Sequence, residues 1–242
     1  MKKSIFTILI TIVFSSLTFS QLSVKVGGGL GYVTPSGDYS GNTTEFYNGT
    51  KYGLSSGFNL HLKAKVEVLS ISLKGELDYS SFSNDGNATS TQDKVELSHK
   101  ILSLRVGPEF KINIPMVPIT PYVDANVAFN TISGEVSFQG VQRVPSRTYE
   151  IPSESRIGFG FGGGVEISLG PVMTLDAGIH YNLVNPIGKE YKSVPSFDRV
   201  DAYTSLNDEK DPLYNSSDDK TVVANARSIN NLQFTLSVLF GF

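Results

Sequence analysis

The chain ends in the stretch LQFTLSVLFGF, which runs from Leu232 to Phe242. Every second residue of this stretch is apolar, and the residues between them are mostly polar or glycine, with Leu239 as the exception. A period of two is typical of a β-strand, because successive side chains of a strand point to opposite faces. The stretch therefore predicts a strand with one continuous apolar face.

The same alternation occurs seven more times along the chain. In the segment 54–68 the even positions are mostly apolar, whereas the odd positions include His61, Lys63 and Lys65. We predict eight strands of this kind, at 22–32, 54–68, 71–79, 102–112, 121–129, 157–169, 173–183 and 232–242. Their simple succession favours an up-and-down meander over a β-sandwich, which needs Greek-key connections.

The connections between the predicted strands alternate in length. The gaps after the second, fourth and sixth strands are short, and the last of these is only Gly170-Pro171. The other gaps are long and polar, at 35–51, 83–94, 133–154 and 184–228. Short turns at one end and long loops at the other are typical of a bacterial outer-membrane barrel with its turns in the periplasm. We therefore predict an all-β, eight-stranded antiparallel up-and-down transmembrane β-barrel whose apolar faces contact outer-membrane lipid.

The first twenty residues have the features of an export signal. Lys2 and Lys3 precede an apolar run from Ile5 to Phe14, and small residues before Gln21 fit a cleavage site. The apolar run is shorter than the roughly 20 residues that a membrane-spanning helix needs. We predict a signal peptide at residues 1–20 and a single barrel domain at 21–242, located in the cell outer membrane.

A soluble eight-stranded barrel of the lipocalin kind is the main alternative, with the apolar face of each strand turned inward. The alternation alone does not choose between the two folds. The export signal, the uneven loop lengths and a last strand that stops on Phe242 favour the membrane. The formal net charge of -3 provides no basic field for nucleic acid, and the absence of Cys excludes disulfides and thiolate chemistry.

Several stretches resemble the small outer-membrane β-barrel family of the OmpA and OmpX type and the porin-like barrel domains related to it. They are FTLSVLFGF at the end of the chain, ILSLRVGPEFKI leading to PYVDANVAFN, and FGFGGGVEISLG leading to PVMTLDAGIHY. The resemblance covers essentially all of residues 21–242. It implies that the last strand, with Phe240 and Phe242, is the assembly signal that the barrel-assembly machinery recognises. We expect a monomer.

The polar face of the strands carries charges of both signs. Seven basic and seven acidic residues lie at inward positions. An eight-stranded barrel is only wide enough for its own side chains to fill it, and buried charges must be paired. A selective pore would favour one sign along its lining, so we predict a compensated network that plugs the lumen. Its members are Lys63, Lys65, Lys74, Glu76, Asp78, Arg105, Glu109, Asp124, Arg156, Glu166 and Asp176, together with Lys25, Glu67 and Lys111.

The glycine-rich run at 158–164 contains the G-x-G-x-x-G pattern of dinucleotide sites. Such a site needs a helix directly after the glycines, whereas the following VEISLG continues as a strand. We therefore predict no cofactor. Gly158, Gly160, Gly162 and Gly164 are expected to leave room for long Lys and Arg side chains across the lumen.

The three histidines are the first residues to consider for catalysis. His61 and His180 lie in mid-strand on the inward face, where we expect them to belong to the plug. His99 lies where the alternation of the fourth strand is disturbed. A β-bulge there would re-aim His99, which we interpret as a solvated residue of the rim. Because no third partner is identifiable, we predict no catalytic residue and no metal ligand.

The longest loop, at 184–228, is of a size that usually reflects a function or disorder. The loop contains the aromatic residues Tyr191, Phe197, Tyr203 and Tyr214. The sequence leaves three interpretations of them open: a contact surface, packing of the loop against itself, or a position at the membrane interface. We predict a structural or adhesive protein whose long extracellular loops recognise a ligand. A small pore-forming channel is the alternative, and a lipid-modifying outer-membrane enzyme is the third hypothesis.

Overall fold

The computed structural model describes residues 22–192, 199–218 and 220–241. Residues 1–21, which include the predicted signal peptide, and Phe242 lie outside the described residues. The strands are β1 Leu22–Ser36, β2 Gly57–Val68, β3 Ile71–Gly86, β4 Lys94–Lys111, β5 Ile119–Gln139, β6 Thr148–Ser168, β7 Met173–Ile187 and β8 Asn230–Gly241. Two short helices, α1 Thr43–Tyr47 and α2 Val200–Thr204, lie in the first and last loops. In this part of the chain no helix is long and apolar enough to cross a membrane.

The eight strands form one closed antiparallel barrel in which each strand pairs with its neighbours in sequence. The ring is closed by β1 and β8, where Val26 lies opposite Phe240. Closure pairs the backbone groups that would otherwise form a free sheet edge. The predicted eight-stranded up-and-down barrel is confirmed. The connections after β2, β4 and β6 form one end, called the turn end. The other connections, of which those after β1 and β7 are long, form the loop end.

The two faces of the strands differ as the alternation predicts. On β8, Phe234, Leu236 and Phe240 point outward and are substantially exposed, whereas Gln233 and Ser237 are buried in the lumen. The same arrangement of apolar outward and polar inward side chains holds along the other strands in the part of the barrel nearer the turn end. The apolar face of the last strand therefore forms part of a continuous apolar band around the barrel, as lipid contact requires.

The strands β3 to β6 are longer than the lipid-facing pattern predicts. β3 continues to Gly86 before β4 begins at Lys94, and β5 continues to Gln139 before β6 begins at Thr148. The boundaries predicted for the second and third polar loops are therefore wrong. The physical reason is that strand pairing continues past the apolar band, while the outward residues become polar and the inward residues become apolar.

Replacing Leu104 with Arg is expected to destabilise the barrel by about 2–4 kcal/mol, because it places a charge in the apolar band of β4. Leu104 is half-exposed on the outer face. Ser98 lies on the same face beyond that band, so Ser98→Arg is a matched control with an expected loss below about 1 kcal/mol. Urea unfolding of protein folded into lipid vesicles measures both losses. Equal losses would contradict the assignment of this face to lipid.

Candidate functional site: a charged plug beneath an apolar cap

The lumen contains two layers that differ in chemistry. The layer nearer the turn end is charged and is called the plug. The layer at the loop end is apolar and is called the cap. The plug comprises Lys25, Lys63, Lys65, Lys74, Arg105, Lys111, Glu67, Glu76, Asp78, Glu109, Asp124, Glu166 and Asp176, which form the ion pairs described below.

The centre of the plug is Lys65, whose ammonium group is shared by three carboxylates. It lies 2.9 Å from Glu109, 2.6 Å from Glu166 and 2.8 Å from Asp176. The hydroxyl of Tyr122 donates a hydrogen bond of 2.7 Å to Asp176. The side chains of Lys65, Glu109 and Asp176 are 0% exposed. One buried cation thus links strands on opposite sides of the barrel.

A second group of ion pairs lies closer to the loop end. The Arg105 guanidinium lies 3.1 Å from Glu76 and 3.2 Å from Asp78, and it donates a hydrogen bond of 2.9 Å to the side-chain oxygen of Gln233. Lys63 connects this group to the centre, since it lies 3.2 Å from Asp176. The result is a continuous set of contacts through the membrane-embedded part of the lumen.

At the turn end the plug approaches water. Lys111 pairs with Glu67 and lies 2.8 Å from Glu166. Lys25 bridges the same two carboxylates at 3.1 Å and 2.8 Å. The side chains of Lys25 and Glu67 are 16% and 14% exposed, so the network is buried in its centre and partly solvated at its margin.

Arg156 points into the lumen as the alternation along β6 predicts, but its closest carboxylate partners lie in the last loop. Its Nε and Nη2 donate two hydrogen bonds of 3.0 Å to the carboxylate of Asp208. It also lies 3.4 Å from Glu190. With Arg156 bound to the cap, the plug has six basic side chains and seven carboxylates. Neutral and histidine donors on neighbouring strands, such as Tyr122 and His180, satisfy part of the excess.

The inward glycines of β6 make room for rings and amides, not for the Lys and Arg side chains that the sequence suggested. A Cβ at Gly162 would lie 2.2 Å from the ring of His180, and one at Gly164 would lie 2.6 Å from the hydroxyl of Tyr122. The neighbouring strands β5 and β7 present these bulky groups directly across from the glycines. The earlier expectation is wrong because cross-strand neighbours, and not residues across the lumen, fill this space.

His61 and His180 lie in the lumen, as predicted. The ring nitrogens of His61 lie 2.8 Å from the Asn59 side-chain oxygen and 2.7 Å from the Ser237 hydroxyl. The Nε2 of His180 lies 2.9 Å from Asp124. Both rings are buried, so they act as hydrogen-bonding parts of the barrel interior.

His99 is not a solvated rim residue, and the prediction is wrong. It is 1% exposed, and its ring centroid lies 5.8 Å from those of Tyr39 and Tyr52. β4 keeps an unbroken register through His99, so no bulge is present there. The alternation reverses because the lumen becomes apolar above Leu102, where the lipid-facing band of β4 begins. Burial lowers the pKa of His99 to about 4, and the positive charge of Arg227 acts in the same direction.

The cap is a hydrophobic core enclosed by the strands that extend beyond the membrane. Strands and loops contribute to it in comparable measure, and α1 and α2 both bury side chains in it. Its strand residues include Val33, Phe82, Val95, Leu97, Ile101, Ile132, Val136, Phe138 and Ile151, and its loop residues include Tyr39, Phe46, Tyr47, Tyr52, Val141, Val144, Tyr203, Leu206 and Val222. Such a core is typical of a folded soluble domain, and it holds the loops in one arrangement.

The first and last loops are joined by polar contacts as well as by this core. The guanidinium of Arg199 lies 4.3 Å from the centroid of the Tyr47 ring, and it donates a hydrogen bond of 2.8 Å to the Tyr47 carbonyl. Arg227 lies 4.2 Å from the centroid of the Tyr52 ring. Cation–π contacts of this kind are stronger when both groups are shielded from water. They fix the last loop against the first.

The aromatic residues of the last loop have different environments. Tyr203 is buried, and its ring packs 5.2 Å from Phe46 and 5.3 Å from Phe138 between centroids. Tyr191 and Tyr214 are partly exposed, and Phe197 lies outside the described residues. Tyr203 therefore packs the loop against the rest of the protein, which is one of the three interpretations that the sequence leaves open.

The fold and its interior define a lipid-embedded β-barrel with a filled lumen. The chain matches the outer membrane protein β-barrel domain family over residues 6–242 and belongs to that family. It is therefore a protein of the outer membrane. In such barrels the short turns face the periplasm and the long loops face the exterior, which places the cap outside the cell.

Several solved structures are similar to this chain. Neisserial surface protein A has a TM-score of 0.49 at 15% identity, covering 92% of this chain and 98% of its own. Ail from Yersinia pestis, in complex with a heparin analogue, has a TM-score of 0.41 at 14% identity, covering 91% and 97%. OprG from Pseudomonas aeruginosa has a TM-score of 0.42 at 9% identity, covering 91% and 95%. No curated protein is similar enough to match.

Proposed function

We propose that this outer-membrane protein has a structural or adhesive role, and that the cap presents a fixed surface that binds a partner outside the cell. The observation that supports this most directly is the hydrophobic core that orders the long loops. Long loops without regular secondary structure are uncommon in compact domains, and they are usually either functional or disordered. Ordering them costs conformational entropy, which the cap core offsets.

The segment of the last loop around Leu213 is the most suitable contact surface, because it is exposed and apolar. Leu213 is 72% exposed, with Pro212 and Tyr214 on either side of it. Neighbouring exposed apolar side chains that form one patch mark interaction surfaces, whereas single ones do not. The loop beneath them is anchored, because Asp211 and Val223 are joined through a backbone hydrogen bond of 3.0 Å.

Replacing residues 189–226 with an Asn-Gly turn is the test of this proposal. We expect the barrel to fold and to keep a heat-dependent shift in gel mobility, because the plug lies below the replaced segment. Attachment of producing cells to polystyrene and to sister cells should fall to the level of cells without the protein. Leu213→Ser, which leaves the core intact, should reduce attachment several-fold. Unchanged attachment in both variants would contradict binding by the cap.

A small pore is the second candidate, and the buried plug weighs against it. Lys63, Lys65 and Asp176 have no exposed side-chain surface, whereas the lining of a conducting pore must contact water. We therefore expect planar bilayers that contain the protein to show no discrete conductance steps. Regular steps that survive removal of the last loop would favour the channel.

We also propose that the protein is not an enzyme. Ser237, His61 and Asn59 are joined by hydrogen bonds in an order that resembles a nucleophile, a base and an orienting group. However, Ser237 and Asn59 are 1% and 0% exposed in the interior of the barrel, so a lipid cannot reach them. This supports a structural role for the cluster.

Assembly by the barrel-assembly machinery remains part of the proposal, with Phe240 and Phe242 as its signal. Phe240 lies on the outer face of β8, close to the turn end, where its ring is about half-exposed. A ring in this position is available to a protein in the periplasm before insertion, and it faces lipid afterwards.

A further inference from the structure

The periplasmic turns have an unusual composition. The turn after β2 is Leu69-Ser70, the segment after β4 reads INIPMVP at 112–118, and the turn after β6 reads LGPV at 169–172. None of the three contains a charged residue. Turns that face water are usually rich in polar residues, so the composition calls for a physical explanation.

These turns also expose large apolar side chains. Met116 is fully exposed, and Leu69 is 71% exposed. We call the group Leu69, Ile114, Met116, Val117, Leu169 and Val172 the periplasmic apolar surface; its members are all substantially exposed. Contiguous exposed apolar surface marks a site that contacts another molecule or a membrane.

The backbone holds two of these side chains outward in a costly conformation. Leu69 and Met116 have φ angles of 57° and 66°. This left-handed region is readily occupied by glycine but is unfavourable for residues with a Cβ. An apolar residue is therefore present at two turn positions where glycine or asparagine would be easier to accommodate.

The three turns form one connected surface. The side chain of Asn113 donates a hydrogen bond of 3.1 Å to the Ser70 hydroxyl. The backbone N–H of Ser168 donates one of 2.9 Å to the carbonyl of Pro118. These bonds join the second turn to the first turn and to the last residue of β6, directly before the third turn. The apolar side chains of the three turns are therefore presented together.

The position of this surface identifies what covers it. The ten residue steps from Leu102 on β4 to Ile112, which directly follows β4, correspond to about 25 Å of membrane thickness for a strand tilted by about 40°. By the same geometry the four residues from Ile112 to Met116 would reach at most about 10 Å further if they were extended. The left-handed backbone at Met116 turns the chain back and shortens that reach. The headgroup layer on each side of the hydrocarbon core is about 5–7 Å thick. The surface is also continuous with the lipid-facing rows, because Leu169 and Val172 adjoin the ends of β6 and β7.

We propose that the periplasmic apolar surface inserts into the periplasmic leaflet, at the boundary between headgroups and acyl chains. A lipid surface needs no directional partner and excludes charge, which matches turns without a charged residue. Insertion of three joined turns fixes the depth of the barrel in the membrane. A docked periplasmic protein or a second copy of this chain would have to reach the same side chains within the lipid headgroup layer.

The chain contains no Trp, so a single introduced Trp reports its own surroundings. Full-length protein with Met116→Trp is exported, purified from outer membranes and reconstituted in dioleoylphosphatidylcholine vesicles. One set of vesicles is prepared in iodide, which quenches Trp in water, and another contains lipid with brominated acyl chains, which quenches Trp in the membrane. We expect blue-shifted emission, loss of most fluorescence with brominated lipid and little loss with iodide. Leu104→Trp is the lipid-exposed control and Ser216→Trp, on an extracellular loop, is the aqueous control. Val172→Trp reports the same surface from another turn.

The opposite result overturns the proposal. If Met116→Trp and Val172→Trp behave like Ser216→Trp, the surface lies in water and is available to a periplasmic protein. If their emission shifts to the blue only when the protein-to-lipid ratio is raised, a second copy of the chain covers the surface and the lipid assignment is wrong. A heat-dependent shift in gel mobility confirms that each variant is folded.

Discussion

Replacing Lys65 with Met is expected to destabilise the barrel by about 3–5 kcal/mol, because it leaves buried carboxylates without their shared cation. Glu109, Glu166 and Asp176 all lie within 3 Å of the Lys65 ammonium. Asp176 keeps contacts with Lys63 and Tyr122, and Glu166 keeps Lys25 and Lys111. Glu109 retains only the longer contact of 3.7 Å to Lys111 among the described ion pairs. Urea unfolding of protein folded in vesicles measures the loss.

Lys100→Met is the matched control for this variant. Lys100 lies on the outer surface of the extracellular wall, 3.9 Å from Glu135, and both side chains are about half-exposed. Exposed pairs of this kind contribute at most about 1 kcal/mol. Combining Lys65→Met with Glu109→Gln should recover part of the lost stability, because one unpaired charge is removed. Equal effects of Lys65→Met and Lys100→Met would show that the plug does not support the barrel.

The membrane-embedded part of the fold could be predicted from the sequence because two physical requirements act on every strand. Lipid requires apolar outward residues such as Leu104, and the narrow lumen requires polar inward residues such as Arg105. Their alternation fixes the number of strands, their faces and the short turns between them. The closure of β1 on β8 follows, because an open edge in lipid would leave backbone groups unpaired.

The interior above the membrane could not be predicted in the same way. There the outward side of the wall meets water and the lumen is apolar, so the alternation reverses in phase. Val95, Leu97 and Ile101 point inward like Ser103 and Arg105, without any break in the strand. The sequence predicts a bulge at His99, because one sequence does not distinguish a residue that changes face from a face whose surroundings change. Inward apolar residues on strands next to long loops are the signal of a cap.

The individual ion-pair partners of the charged lumen residues could not be predicted from the sequence either. The alternation along β6 predicts correctly that Arg156 points inward. Its ion-pair partner Asp208, however, lies 52 residues later in a loop without regular strands. Similarly, the glycines of β6 reveal that space is needed, but only the cross-strand register identifies Tyr122 and His180 as the groups that occupy it. Contacts between residues distant in sequence depend on register and loop conformation, which the alternation does not encode.

Replacing Asp208 with Ala is expected to loosen the cap while the plug and the membrane-embedded strands stay folded. Asp208 is 0% exposed, and it accepts two hydrogen bonds from Arg156, one of 2.8 Å from the Asn185 side chain and one of 2.9 Å from the Glu190 backbone. Its removal leaves the buried Arg156 cation without its main partner, which costs about 3–5 kcal/mol. Hydrogen exchange and limited proteolysis of the first and last loops measure the opening of the cap.

Asp218→Ala provides the control, because Asp218 lies in the same loop, is exposed and accepts a local hydrogen bond from the Lys220 backbone. It should leave both measurements unchanged. Asp208→Asn keeps acceptor and donor atoms but removes the charge, so its effect should be intermediate. If Asp208→Ala lowers the urea midpoint of the whole barrel as much as it opens the loops, the cap and the plug unfold as one unit. If the two respond separately, the cap is an independently stabilised extracellular layer.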